Sequence, residues 1–326
     1  MTNNSEIIDK SELKNFKEYL ATKPKIIVLV AANIDADAIG GSLALYNSLV
    51  AEGFDIDIAC HIDIPEKYHF LDGVEKIKKD FNENDFDCTI ITDCGNIKMI
   101  GFQEEKPKLL TDEIVKINID HHASNNNYGK INFVTEAPSA TIIVFRLLQK
   151  LNFKITPQIA TSLLAGIYGD TGSFMHQNTT PECYATSAEL VKLGANTNKI
   201  SKNIFQSYEL KTFKLWGKVL QNLHVTSEGA AIVGIKKNDY ESIGATREDL
   251  EGVINFVNSM PEAKYSVMLS EDEKGNVKAS LRTRNPEIDV KALAEKFGGG
   301  GHVKAAGFTI PDGHLQKEVK WKIVTE

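Results

Sequence analysis

The residues best equipped for chemistry form one short stretch, Asp120-His121-His122-Ala123-Ser124-Asn125. A carboxylate beside two imidazoles is a good donor set for a first-row divalent metal. Three further stretches carry aspartates: Asp35-Ala36-Asp37, Asp93, and Asp170 within Gly169-Asp170-Thr171-Gly172. Singly, each has an ordinary explanation. Asp37 suits the cap of a following helix, Asp93 suits any polar loop, and Asp170 suits a turn. At one sheet edge, however, so many acidic groups would repel one another without bound cations. Oxygen donors with one or two imidazoles favour Mn²⁺, with Mg²⁺ as the alternative and Zn²⁺ or Co²⁺ less suited. Two ions about 4 Å apart would clamp a phosphorus centre for in-line displacement. One would make hydroxide from water, and the other would stabilise the leaving oxygen.

A second cluster lies near the end of the chain: Arg282-Thr283-Arg284, then Gly298-Gly299-Gly300-Gly301-His302. Four glycines let backbone N–H groups approach an anion closely, and arginine adds bidentate phosphate geometry. The plainer reading is a flexible helix end, for which two glycines or fewer suffice. Ala305-Ala306-Gly307 then permits tight chain packing.

Strands and helices must carry these groups. Ile26 to Val30 is a continuous apolar run, expected of a strand buried on both faces of a parallel sheet. Asp55 to Cys60 alternates, Cys88 to Thr92 ends at Asp93, and Ile114 to Ile119 ends at Asp120. Helical patterns cover 9–22 with Ser11 as its cap, Leu43 to Ala51 stopped by Gly53, a stretch between 60 and 87, then 140–151, 158–168 and 186–193. Strand–helix alternation with aspartates at strand ends predicts an α/β fold with a parallel, doubly wound sheet, where ligands gather at the strands' carboxyl ends. From residue 230 the pattern changes to a strand (230–235), a helix (248–258), a hairpin (265–270 with 277–284) and a helix (290–297), a smaller α+β domain. The expected division is therefore 1–194 catalytic, 195–225 a helical connector, and 226–326 substrate-binding. Residues beyond Gly313 read as a polar tail.

Composition narrows the partners. A net charge of −7 over 326 residues opposes non-specific attraction to long nucleic acid. The four cysteines show no CxxC pairing, which favours free thiols in a reducing cytosol. The first ten residues are polar, wrong for a secretory signal, and the longest clean apolar run, Ile26 to Ala32, is too short to span a bilayer. A cytoplasmic protein is expected.

The order DxD, D, DHH, D with a C-terminal GGGGH resembles the DHH phosphoesterases that carry the DHH-associated C-terminal domain, and among them the bifunctional oligoribonuclease/PAP phosphatases. Asp120 to Asn125, Gly166-Ile167-Tyr168-Gly169-Asp170-Thr171-Gly172-Ser173-Phe174, and Gly298 to His302 with Ala305-Ala306-Gly307 carry the likeness, which runs from about Lys25 to Pro311. The resemblance implies that Asp35 ligates a first metal, that Asp37, His121 and Asp170 ligate a second, and that Asp93 bridges them. It implies that His122 faces the scissile phosphate and that Asp120 orients an imidazole. Arg282, Gly299, Gly300, Gly301 and His302 would hold a nucleotide's phosphate or base, with Arg284 a weaker candidate.

One departure matters. Four residues before the first Asp of the motif, where the family carries a metal-binding histidine, stands Ala31. Asn33 is out of register, and His61 or His69 would have to fold inward to replace the missing ligand. The first metal is thus expected to be under-ligated. The implied activity is Mn²⁺-dependent hydrolysis of short oligoribonucleotides, 3′-phosphoadenosine 5′-phosphate or linear dinucleotides. The alternatives are a nucleotide-binding protein with little turnover, motivated by Ala31, or a RecJ-like single-strand exonuclease, which the length disfavours. The glycine-rich, arginine-bearing second domain disfavours a family-II pyrophosphatase. A homodimer paired through the first domain is a further implication, while the charge and the short apolar runs predict no membrane or long-duplex partner.

Overall fold

The computed structural model describes residues 7–250 and 252–316 as two compact units, one ending at Ser207 and the other starting at Tyr208. That division falls inside the segment expected to be a connector. The end of the polar tail, 317–326, lies outside the described residues.

The first unit is built on a five-stranded sheet of order β2-β1-β3-β4-β5, comprising β1 (Ile26–Val30), β2 (Ile56–Cys60), β3 (Cys88–Thr92), β4 (Val115–Asp120) and β5 (Ile131–Val134). Every pairing is parallel. The apolar run of β1 is buried throughout, because its residues face alternate layers. Ile26, Val28 and Val30 join the larger core with the helices, whereas Ile27, Leu29 and Ala31 join a smaller one with Phe81, Phe86, Ile100 and Phe102. The helices are α1 (Lys10–Ala21), α2 (Ala36–Ala51), α3 (Ala140–Leu151), α4 (Pro157–Asp170), α5 (Pro181–Lys192) and the short α6 (Thr197–Ile200). The sheet is thus covered by helices on one face and by turns on the other.

Several expectations need correction. The 60–87 stretch holds no α-helix, only three single 3-10 turns, at Glu66–Tyr68, Val74–Lys76 and Glu83–Asp85. Pro65 and Gly73 punctuate it, and its apolar residues lack a helical stripe long enough to cover a sheet face. The cap of α1 is Asp9, which accepts from the N–H groups of Ser11 and Glu12, so Ser11 lies inside the helix. Helix α2 starts at Ala36 rather than Leu43, and α5 starts at Pro181, a residue favoured in a first turn, rather than Thr186. Gly40 and Gly41 hide the start of α2 from a propensity reading. They are there for contact: a Cβ on Gly40 would lie 2.4 Å from the Ser162 carbonyl oxygen of α4. Strand β5, only four residues long, was not expected.

The second unit carries helix α7 (Leu210–Gln221) and a six-stranded sheet of order β10-β11-β9-β8-β7-β6. Its strands are β6 (His224–Val225), β7 (Ala230–Ile235), β8 (Tyr265–Glu271), β9 (Val277–Arg282), β10 (Gly300–His302) and β11 (Ala305–Ile310). Only β7 and β8 pair in parallel. One face packs on α7, α8 (Lys237–Glu241) and α9 (Val253–Val257) through Leu215, Val219, Val233, Tyr240 and Val253. The other packs on α10 (Val290–Glu295) through Leu281, Val290, Ala294 and Ala306. The helix expected over 248–258 is instead a 3-10 turn at Arg247–Leu250 and then α9, because Gly252 adopts φ +89°.

Gly40→Ala should lower the melting temperature, since the clash is with backbone and overpacking typically costs about 1–3 kcal/mol. Gly217→Ala, in the middle of α7 with nothing within 4 Å of the added carbon, should instead stabilise by up to about 1 kcal/mol. Thermal denaturation of both variants checks the pair. Equal shifts would contradict the packing described here.

Candidate metal centre

The five predicted aspartates reach one end of the sheet for local reasons. Asp120 is the last residue of β4, and Asp93 follows β3 directly. Asp93 holds φ +52°, a left-handed conformation that aspartate tolerates but that costs energy at an ordinary position. Asp35 is the cap of α2 and accepts from the N–H groups of Asp37 and Ala38, both at 2.9 Å. The capping role considered for Asp37 therefore belongs to Asp35. The fully buried Asp37 turns to the start of α3, where it accepts from Ser139 Oγ (2.6 Å), Ala140 N (2.6 Å) and Thr141 N (3.0 Å). A helix N-terminus stabilises a carboxylate in this way. Asp170 is the last residue of α4. Gly166, one turn earlier, must lack a side chain because its Cβ would lie 2.6 Å from Asp37 Oδ1.

His121 is the hub. Its Nδ1 lies 2.9 Å from the Ala137 carbonyl oxygen, which fixes the proton on Nδ1 and leaves Nε2 to act as a ligand. Around Nε2 stand Asp170 Oδ2 at 3.2 Å, Asp93 Oδ1 at 3.3 Å and Asp37 Oδ2 at 3.9 Å. Asp93 Oδ1 and Asp170 Oδ2 are buried, and no hydrogen bond of good geometry reaches either. Buried carboxylate oxygens left this way normally find a partner. Oxygens from three carboxylates and one imidazole nitrogen, drawn this close, fit a divalent cation. Among the described residues, the groups of donors close enough to share an ion are Asp37, His121 and Asp170, and Asp93, Asp120, His121 and His122.

Asp120 is already engaged. Its Oδ1 accepts from His121 N and lies 2.8 Å from His122 Nδ1, and its Oδ2 accepts from Asn125 Nδ2 at 2.6 Å. It therefore orients His122 rather than offering a free oxygen. Asn125 in turn meets Asn118 and the Cys94 carbonyl oxygen. Asn118, a buried amide inside an apolar strand, was a visible signal of this network that the motif reading passed over.

The electrostatics follow from burial. Asp35 keeps an exposed edge, yet desolvation by the protein around it, then the charges of Asp93 and Asp37, push it up to about 7. Asp37 is raised by burial and by Asp93, and Asp170 is raised well above the usual carboxylate range by burial and then by Asp37. Burial disfavours a charged His121, but the Asp93 contact and the charges of Asp37 and Asp170 outweigh it and lift the imidazole to about 10. Asp120 is the exception: burial would raise it, yet His122 and Asn125 bring it below its ordinary value.

Ala31 is buried in the smaller apolar cluster. His61 packs edge-on against Phe102, 5.2 Å between ring centres, and lies 3.6 Å from Glu105, while His69 Nε2 is 3.0 Å from the Ile64 carbonyl oxygen. Neither belongs to a donor group, and neither does Asp35.

The second unit holds the other predicted residues. Arg282, Ala305 and His302 pair across β9, β11 and β10, so they share one face of the sheet. The half-buried Arg282 donates to the Leu281 carbonyl oxygen at 2.9 Å and has no carboxylate partner among the described residues. Arg284 is exposed, beyond the end of β9. The stretch from Gly300 to His302, expected to be an anion loop, is an edge strand. Its glycines have a packing reason as well: a Cβ on Gly299 would lie 2.2 Å from Gly307 O, and one on Gly301 2.6 Å from Ala305 O.

Both units have counterparts among known proteins. Residues 25–167 match the model of the DHH family, N-terminal domain, and residues 231–323 match the DHHA1 domain. The chain is 30% identical over 299 residues to the bifunctional oligoribonuclease and PAP phosphatase NrnA of Thermus thermophilus, covering 89% of this chain and 85% of that protein. It is 29% identical over 196 residues to the protein of the same name from Bacillus subtilis, covering 59% and 61%. An exopolyphosphatase-related protein from Bacteroides fragilis shares the fold with a TM-score of 0.86 at 24% identity, over 93% of this chain and 92% of that one. No helix among the described residues is long and apolar enough to cross a membrane.

The raised proton affinities set a pH dependence. Asp35 binds protons in the fold up to about 7 and His121 up to about 10, each above its unfolded value. The metal-free fold then binds more protons than the unfolded chain from about pH 4 upward, so its stability falls as pH rises. The melting temperature without metal should fall between pH 5 and 8, and the rise on adding Mn²⁺ should grow over the same range as protons cease to compete. A metal-induced shift independent of pH would contradict this electrostatic reading.

Proposed function

The chain belongs to the DHH family of metal-dependent phosphoesterases, with a DHHA1 domain in its second unit, and we propose that it hydrolyses small phosphorylated nucleotides: short oligoribonucleotides, 3′-phosphoadenosine 5′-phosphate or linear dinucleotides. One observation carries the reading. The buried oxygens of Asp93 and Asp170 surround a histidine nitrogen whose tautomer the Ala137 carbonyl has set. Asp37, His121, Asp170 and Asp93 would hold one ion, and Asp35 with Asp93 would hold the other. Mn²⁺ suits this mixture of oxygen and imidazole donors. When bound, such ions polarise a phosphoryl oxygen and supply hydroxide at neutral pH.

The chain's own residues do the rest. Asp93, held at its strained φ, would serve both positions. His122 has its Nδ1–H tied to Asp120, and that bond, against the opposing effect of burial, raises its proton affinity. An imidazolium fixed in this way is suited to donate from Nε2 to a phosphate oxygen. Arg282 is costly to leave without an anion in its half-buried place, where burial lowers its proton affinity. Together with His302 it is the proposed grip on the nucleotide. The net charge of −7 favours short substrates over long strands.

A second reading, nucleotide binding with little turnover, is favoured by one finding: Ala31 sits in an apolar cluster and no described histidine replaces it. Hydrolysis of 3′-phosphoadenosine 5′-phosphate and of a 5′-phosphorylated dinucleotide, with and without Mn²⁺, separates the two. The wild-type chain should turn over at least one of them only with metal, and Ala31→His should raise the rate about tenfold or more, by analogy with the cost of losing a ligand's support. No turnover by either form would overturn the enzyme reading. Arg282→Ala and His302→Ala should raise KM for these nucleotides far more than for a simple phosphodiester lacking a base. Equal effects on both substrates would argue against a nucleotide grip.

A further inference from the structure

Three of the four residues that would hold one ion sit on different elements: Asp37 in α2, His121 after β4 and Asp170 at the end of α4. One short segment, Ala137 to Thr141, reaches two of them directly. The Ala137 carbonyl receives His121 Nδ1, and Ser139 Oγ with the backbone of Ala140 and Thr141 holds Asp37. Asp170 is different. No hydrogen bond reaches its Oδ2, and the helix carrying it stops there. The next turn runs through Gly172, Ser173 and Phe174, all in left-handed backbone with φ of +55°, +57° and +66°. Continuing helix therefore cannot hold Asp170 in place.

Asn178 supplies the missing connection. Its side-chain amide donates to the Pro138 carbonyl at 3.1 Å and to the Asp170 carbonyl at 3.2 Å. Both partners are carbonyl oxygens, so only the NH₂ end of the amide fits between them. Pro138 lies between the residue that holds His121 and the residue that holds Asp37. The amide thus ties Asp170 to the same segment that holds the other two. His176, with Nδ1 3.0 Å from the Asp170 carbonyl oxygen, supports the same carbonyl but makes no link to that segment.

We propose that Asn178 is a positioning residue for the metal centre. It sets Asp170 against Asp37 and His121, so that cation affinity depends on a side chain that donates no ligand atom. The proposal rests on the reading of Asp37, His121 and Asp170 as ligands of one ion. Outer partners of metal ligands typically change affinity about 10–100-fold, and an amide linking two ligand-bearing elements belongs in that class.

The test is calorimetric titration of the full chain with Mn²⁺ alone, beside the unfolding temperature of the metal-free protein. Asn178→Ala should weaken the tightest Mn²⁺ step about 10–100-fold while the metal-free unfolding temperature stays close to that of the wild type. Asn178→Asp is the sharper variant. Its added negative charge would tighten a cation site through space, whereas a carboxylate facing two carbonyl oxygens breaks the link, so the proposal expects weaker binding. Mn²⁺ bound in either variant should also show an altered electron paramagnetic resonance spectrum, which a loss of fold stability alone would not produce. Wild-type affinity in Asn178→Ala, or tighter binding in Asn178→Asp, would overturn the proposal. No Mn²⁺ binding by the wild-type chain would instead defeat the ligand assignment on which it rests.

Discussion

The structure depends on keeping five carboxylates close together at the end of one sheet, with Asp37, Asp93 and Asp120 buried. Burial and mutual repulsion both oppose ionisation of Asp35, Asp37 and Asp170. Such a cluster survives in a fold only with compensation. The protein supplies it unevenly. Asp35 and Asp37 each receive backbone N–H groups at a helix start, and Asp120 receives two side chains and two backbone amides. Asp93 and Asp170 each keep a buried oxygen with no such bond, and both lie beside His121 Nε2. The uneven compensation marks where a divalent cation would take over from the proton on His121 Nε2 as the balancing charge.

Much of the first unit can be read as apparatus for that arrangement. The parallel strands end together and deliver Asp93 and Asp120 to one edge. The close approach of α2 and α4, made possible by Gly40 and Gly166, delivers Asp37 and Asp170. Tight packing leaves no slack, so small changes in these helices should reach the metal centre. The second unit presents a different kind of surface. Its small residues keep three strands close, and they carry a half-buried arginine and a histidine on one face.

The strands of the first unit were legible because an apolar run between polar ends is a strong signal, and β1 and β3 ended where expected. The aspartates and histidines were legible because their chemistry is conspicuous. Their supports were not. The start of α2 was hidden because Gly40 and Gly41 are poor helix formers, chosen for contact with α4. The short turns between β2 and β3 looked helical because composition alone does not separate one turn from several. Ser139 and Asn178 were invisible as site residues because their role exists only once distant segments meet, although a serine before an apolar helix is a recognisable cap. The departure at Ala31 was visible in the sequence, but that neither His61 nor His69 makes up for it required the fold.

The most direct test of the central claim is a crystal of the full chain soaked in Mn²⁺, with anomalous scattering recorded at the manganese edge. The account predicts a strong peak bounded by Asp37, Asp93, Asp170 and His121 Nε2, and a weaker one near Asp35. A peak bound instead by Asp120 and His122, or no peak at saturating Mn²⁺, would contradict it.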